Sequence, residues 1–71
     1  MKNFEHAAET LTELMKQRGL SAAELSRQTM IDPGILRSIM TGKRKNISTR
    51  NVMTLAHYFG LSMEEFIDRV L

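Results

Sequence analysis

Lys43, Arg44 and Lys45 stand in succession, followed at once by Asn46 and a little further on by Arg50. Adjacent cations have one ready chemistry, which is pairing with anionic oxygens. The closely spaced phosphates of a nucleic-acid backbone are the natural partner for such a run. The run follows a segment, residues 33–41, whose apolar side chains recur at helical spacing. Cations just past a helix end are also favoured by the helix dipole, so a solvated helix cap is the competing reading. Three adjacent cations, few neighbouring acids and Arg50 close behind favour a phosphate clamp.

The distribution of charge points the same way. The chain has a net charge of +2, but Lys16, Arg18, Arg27, Arg37, Lys43, Arg44, Lys45 and Arg50 face only Glu24 and Asp32 in the central stretch, a local excess of +6. The two ends hold Lys2 and Arg69 against Glu5, Glu9, Glu13, Glu64, Glu65 and Asp68, a balance of −4. A positive centre between acidic ends makes a one-sided field that attracts phosphates.

Other chemistries find little support. His6 and His57 fall on different expected helices, and neither is grouped with a nucleophile or a carboxylate pair. The methionines, Met1, Met15, Met30, Met40, Met53 and Met63, read as core or surface filler. There is no phosphate-binding glycine loop, and without cysteine there is no disulfide, thiol nucleophile or zinc knuckle. The expectation is no catalysis, no cofactor, no metal ion and no small-molecule ligand.

The chain has 71 residues, 42% of them apolar and 25% charged, which suits one domain (residues 1–71) around one core. The opening stretch, MKNFEHAAETLTELMK, carries Glu5, Glu9 and Glu13 and so contains no apolar signal region. No stretch approaches the length of a membrane span. A soluble, cytoplasmic protein is expected.

Five helices must position the cations. Gly19, Gly42 and Gly60 each follow a helical pattern, where glycine suits the left-handed residue past a helix end. "GLSAAEL" and "GLSMEEF" then restart the helix: Ser21 and Ser62 are N-caps, Glu24 and Glu65 complete capping boxes, and Leu20 with Leu25 and Leu61 with Phe66 form staples. The first helix, roughly 4–18, lines up Phe4, Ala7, Ala8, Leu11, Leu14 and Met15. The second, roughly 22–29, offers Ala23 and Leu25 for burial. The third has Asp32 as N-cap and Pro33 at its first position, runs to about Thr41, and buries Leu36, Ile39 and Met40. The fourth follows Ser48 with Val52, Leu55, Ala56 and Phe59. The fifth follows Ser62 with Phe66, Ile67, Val70 and Leu71. No segment alternates like a strand, so the fold class is all-α.

Helix 2, a turn of about three residues and helix 3 make a helix-turn-helix. Over about residues 10–68, "LSAAELSRQTMIDPGILRSIMTGKRKNIS" followed by "VMTLAHYFGLSMEEFI" resembles the Cro/Xre-type repressors of phages and bacteria. The resemblance implies a five-helix DNA-binding domain with helix 3 in the major groove and helix 2 across the backbone. Two positions depart from the family. Met30 stands where many relatives have a turn glycine, and a left-handed residue there would cost about 1 kcal/mol. Pro33, Gly34 and Ile35 open helix 3 where relatives often carry Gln, Ser or Thr.

On a helical wheel, Gly34, Arg37, Ser38 and Thr41 face outward and Ile35 sits on the boundary. Gly34 either brings the backbone close to DNA or serves a turn-like helix start after Asp-Pro. Ile35 would meet a thymine methyl, and Arg37 a guanine or a phosphate; Ser38 and Thr41 have short reach. Arg27 and the free N–H groups at Ser21, Ala22 and Ala23 are candidates for further phosphates. With so few reading side chains, backbone charge and DNA shape should carry much of the binding.

The expected function is a double-stranded DNA-binding transcriptional repressor, paired as a homodimer through Phe66, Ile67, Val70 and Leu71 of the C-terminal helix. The rival is a helix-turn-helix scaffold turned to protein interaction, as an antitoxin-like partner. Loss of the Lys43–Lys45 run would mark that change, and the run is present.

Overall fold

In a computed structural model, residues 3–71 are described; Met1 and Lys2 lie outside them. Five helices and, among the described residues, no strand appear in the order α1 (Ala7–Arg18), α2 (Ala22–Thr29), α3 (Pro33–Met40), α4 (Thr49–Tyr58) and α5 (Met63–Val70). Each of the last four begins as its sequence requires. Ser21 and Ser62 accept from the N–H groups of Glu24 and Glu65, both at 3.1 Å, and each glutamate reaches back to its serine N–H, so both capping boxes are complete. Asp32 accepts from the Gly34 N–H at 2.7 Å, and Ser48 from the Asn51 N–H at 3.2 Å.

α1 packs on α3 and α5, α4 on α5 and α2, and α2 on α3. The buried side chains form one apolar cluster in which Leu25, Leu36, Leu55 and Val70 have no exposed surface. Burial of each such leucine stabilises the fold by about 1.5–3 kcal/mol. The shared core fixes α3 between α1 and α2, so the outer face of α3 is displayed on a rigid base.

Several expectations need correction. α1 starts at Ala7 rather than near residue 4: residues 5–6 form a turn, closed by the Ala7 N–H donating to the Phe4 carbonyl at 3.1 Å. Phe4 is buried all the same, and its N–H donates to the Lys45 carbonyl at 2.7 Å. Ala23 is exposed; Ala22 instead sits against the core, three positions before Leu25 on the same helical face. Met40 is half-buried, and Thr41 is the C-cap of α3. Ile31 in the turn and Ile47 after the basic run are buried outside any helix, where no periodicity announces them.

The C-terminal helix differs from the expected interface. Phe66 and Val70 fill the chain's own core and Ile67 is half-buried, so only Leu71, 43% exposed, stands well out. The His6 N–H donates to the Val70 carbonyl at 2.8 Å, tying the end of α5 to the start of α1.

Candidate nucleic-acid interface

The turn between α2 and α3 is Met30–Ile31–Asp32. Met30 adopts φ 63° and ψ 19°, the left-handed conformation, and is 88% exposed; it is the one non-glycine residue with positive φ among those described. Methionine thus takes up a conformation that suits glycine, while Ile31 beside it turns inward and anchors the turn in the core.

At the start of α3, Gly34 meets a local constraint. A Cβ on Gly34 would lie 2.9 Å from Asp32 Oδ1, the oxygen that accepts the Gly34 N–H. A side chain here would push away the carboxylate that caps the helix. Glycine therefore serves the Asp-Pro start, and its bare surface is exposed. Arg37 and Thr41 are also exposed, while Pro33, Ile35 and Ser38 are half-buried and Ile35 packs against the core. The Thr41 hydroxyl donates to the Ser38 carbonyl at 3.3 Å, which leaves its oxygen lone pairs for a donor.

The basic run leaves α3 through Gly42, whose φ of 80° turns the chain. The Arg44 N–H then donates to the Ser38 carbonyl at 3.0 Å, and Ile47 anchors the far end of the loop in the core. Lys43, Arg44, Lys45 and Asn46 line an open depression with Ser38, Gly42 and Asn3, and Arg44, Lys45 and Asn46 are well exposed there. Asn3 was not among the sequence candidates; only the pairing of Phe4 with Lys45 brings it here. Among the described residues, the one carboxylate within ion-pairing distance of the run is Glu5, whose Oε2 lies 3.2 Å from Lys45 Nζ.

The N-terminus of α2 is less open than expected. The Ser21 N–H is taken by Glu24 Oε1 at 3.1 Å, so of the three N–H groups expected for a phosphate only those of Ala22 and Ala23 remain candidates. The Ser21 N–H, and then its hydroxyl, hold the Glu24 carboxyl below its ordinary value of 4.5. Glu24 is therefore ionised at neutral pH and competes with an incoming phosphate. Arg27 in the last turn of α2 is exposed.

A three-residue turn, a capped second helix with an exposed outer face and a basic loop directly behind it form one continuous surface. Residues 10–71 match the family model described as the Cro/C1-type HTH DNA-binding domain. The chain belongs to that family. No curated protein and no solved structure matches it at a significant level. The match covers α2, α3 and the basic loop, together with most of α1 and all of α4 and α5. This Cro/C1-type domain therefore carries a DNA-binding regulator's scaffold. Among its described residues there is no cluster of His, Cys, Asp or Glu able to hold a metal ion, and no helix long and apolar enough to cross a membrane.

Proposed function

We propose that the protein is a transcriptional repressor that sets α3 in the major groove and grips the flanking phosphates with Lys43, Arg44 and Lys45. The observation that carries this reading is the basic loop, fixed at both ends by Gly42 and Ile47, next to the outer face of α3. Ile35 offers its apolar edge to a thymine methyl and Arg37 reaches either a guanine or a phosphate, with Ser38 and Thr41 beside them. Pro33 and Gly34 let the backbone approach, and Ala22, Ala23 and Arg27 hold the phosphate across the motif, with Ser21 shaping that end as its cap. Asn46 lies at the rim of the clamp. The whole chain acts as one non-catalytic domain in the cytoplasm, and repression follows from occupying the duplex.

Pairing into a homodimer on a two-fold operator accompanies this reading. With Phe66 and Val70 inside the core, the C-terminal contribution to such a pairing reduces to Leu71, Ile67 and their surroundings. The half-sites would lie about 34 Å apart, one helical turn.

The deciding experiment measures duplex binding against salt for the unaltered protein and for a variant with Lys43, Arg44 and Lys45 all changed to alanine. Each phosphate that is no longer neutralised flattens the log–log salt slope by about 0.9. The variant should bind all sequences more weakly, with a slope reduced by about 2–3. Equal affinity in both proteins refutes the clamp. Failure of the unaltered protein to bind any duplex favours the scaffold as a protein-interaction module.

A further inference from the structure

The basic loop is not a free cationic arm, because the segment before α1 is fastened to its last lysine twice. The Phe4 N–H donates to the Lys45 carbonyl at 2.7 Å, with the Phe4 ring buried beneath. Glu5, the next residue, places Oε2 3.2 Å from Lys45 Nζ. Buried Phe4 and the bond from the His6 N–H to the Val70 carbonyl hold the backbone on either side of Glu5, so its carboxylate is carried to the loop by the fold. Lys43 and Arg44, on the same loop, have no such partner among the described residues.

We propose that Glu5 is a built-in competitor for the phosphate at Lys45, an intramolecular anion that DNA must displace before the third cation of the clamp engages. This rests on the reading of Lys43–Lys45 as a phosphate clamp. An ammonium is a compact point charge, and a carboxylate and a phosphate drawn to it repel each other. While Glu5 holds Lys45, the loop presents two uncompensated cations to the backbone instead of three. The competitor lowers affinity for every sequence alike and leaves base preference untouched, because phosphates carry no sequence information. It thereby weakens specific and non-specific binding by the same factor relative to three free cations, so that at a given protein concentration only sites where α3 adds contacts of its own stay occupied. Both side chains are more than half exposed, so the exchange requires no unfolding.

The test is a double-mutant cycle on Glu5 and Lys45 with Glu9→Gln as the charge control. Glu9 changes the same charge on the same end of the chain but neighbours His6 rather than Lys45. Binding is read by fluorescence anisotropy on a short random-sequence duplex between about 50 and 200 mM salt. Glu5→Gln should tighten binding about 3–5-fold, the size of an exposed ion pair, and steepen the salt slope by up to about 0.9. The gain should disappear in the Lys45→Ala background, and Glu9→Gln should give little of it. Thermal melts of all variants report whether the fold is kept, since a purely structural Glu5 would lower the melting temperature without steepening the slope. A gain that persists without Lys45, an equal gain from Glu9→Gln, or no gain at all overturns the competitor while leaving the clamp standing. Absence of duplex binding in the unaltered protein and in Glu5→Gln alike overturns both.

Discussion

Replacing Met30 with glycine should stabilise the protein, and the size of the effect follows from the turn. At φ 63° an L-residue brings its Cβ against the following carbonyl, a strain of about 1–2 kcal/mol. Glycine removes the strain, but loosens the unfolded chain by about 0.4–1 kcal/mol. No burial is lost, because the Met30 side chain is 88% exposed. The bond from the Met30 N–H to the Ser26 carbonyl, 2.8 Å, is made by the backbone and survives. The net gain is about 0.5–1 kcal/mol, which for a domain of this size raises the melting temperature by roughly 2–8 °C. Far-UV circular dichroism during heating reads this directly. Met30→Ala is the control: it keeps the strain, gives up no buried surface, and should stay within about 0.5 kcal/mol of the parent. A Met30→Gly protein that melts lower than its parent, or a Met30→Ala protein that gains as much, refutes the account of a strained turn.

Three other outcomes follow from the same geometry. Arg37→Ala should relax preference at one base pair by roughly 1–3 kcal/mol if Arg37 reads a base, and lower affinity uniformly if it grips a phosphate; a panel of single-base operator variants distinguishes them, and no change in either removes it from the interface. Glu24 and Glu65 are held below 4.5 by their capping serines, so the stability they contribute is complete above that value and is lost as pH falls through their folded values; urea titrations across the acid range should show a smaller acid-dependent loss in a Ser21→Ala, Ser62→Ala double variant. Val70→Asp buries a charge in the core and should cost at least about 3 kcal/mol in the monomer, whereas Leu71→Asp should leave the melting temperature nearly unchanged and, if the C-terminus pairs two copies, weaken binding to a palindrome more than to one half-site.

The starts of α2, α3 and α5 were legible because they are written in short-range chemistry. Ser21 with Glu24, Ser62 with Glu65 and Asp32 with Pro33 each act over three residues or fewer, and all of them act as their spacing implies. What depends on contacts distant in sequence was not legible. Ile31 and Ile47 are core residues without a periodic neighbour, and Ala23 looks as buriable as Ala22 until α2 is set on its partners. The apolar end of α5 looked like surplus surface because nothing in its pattern shows that Val70 meets the start of α1. Gly34 illustrates the middle case. Its proximity to Asp-Pro is plain in the sequence, but only the 2.9 Å approach of a would-be Cβ to Asp32 Oδ1 shows that a side chain here would displace the capping carboxylate.

The +6 of the central stretch also changes meaning once the side chains are placed. Arg18 donates from Nη1 to the Tyr58 carbonyl at 3.2 Å and lies over the rings of Tyr58 and Phe59, 5.6 and 5.2 Å from their centroids. Its charge caps the end of α4, where the helix dipole favours a cation. It also sits at the far end of α1 from Glu5 and Lys45, and the 12 residues of that helix span about 18 Å. That exceeds the Debye length of about 8 Å at physiological salt. Lys16 shares the same last turn, so neither strengthens the field at the basic loop to any great extent. Lys45 is partly neutralised by Glu5. The cations left for a duplex on the α2–α3 side are Arg27, Arg37, Lys43, Arg44 and, at the start of α4, Arg50. With Lys45 added once Glu5 is displaced, a salt slope built from these is set by at most about six phosphate contacts per protomer, and one fewer if Arg37 reads a base. A measured slope well above that, with Arg18→Ala lowering it further, would mean that the α1 end of the molecule touches the backbone too, and that DNA bends around the domain to reach it.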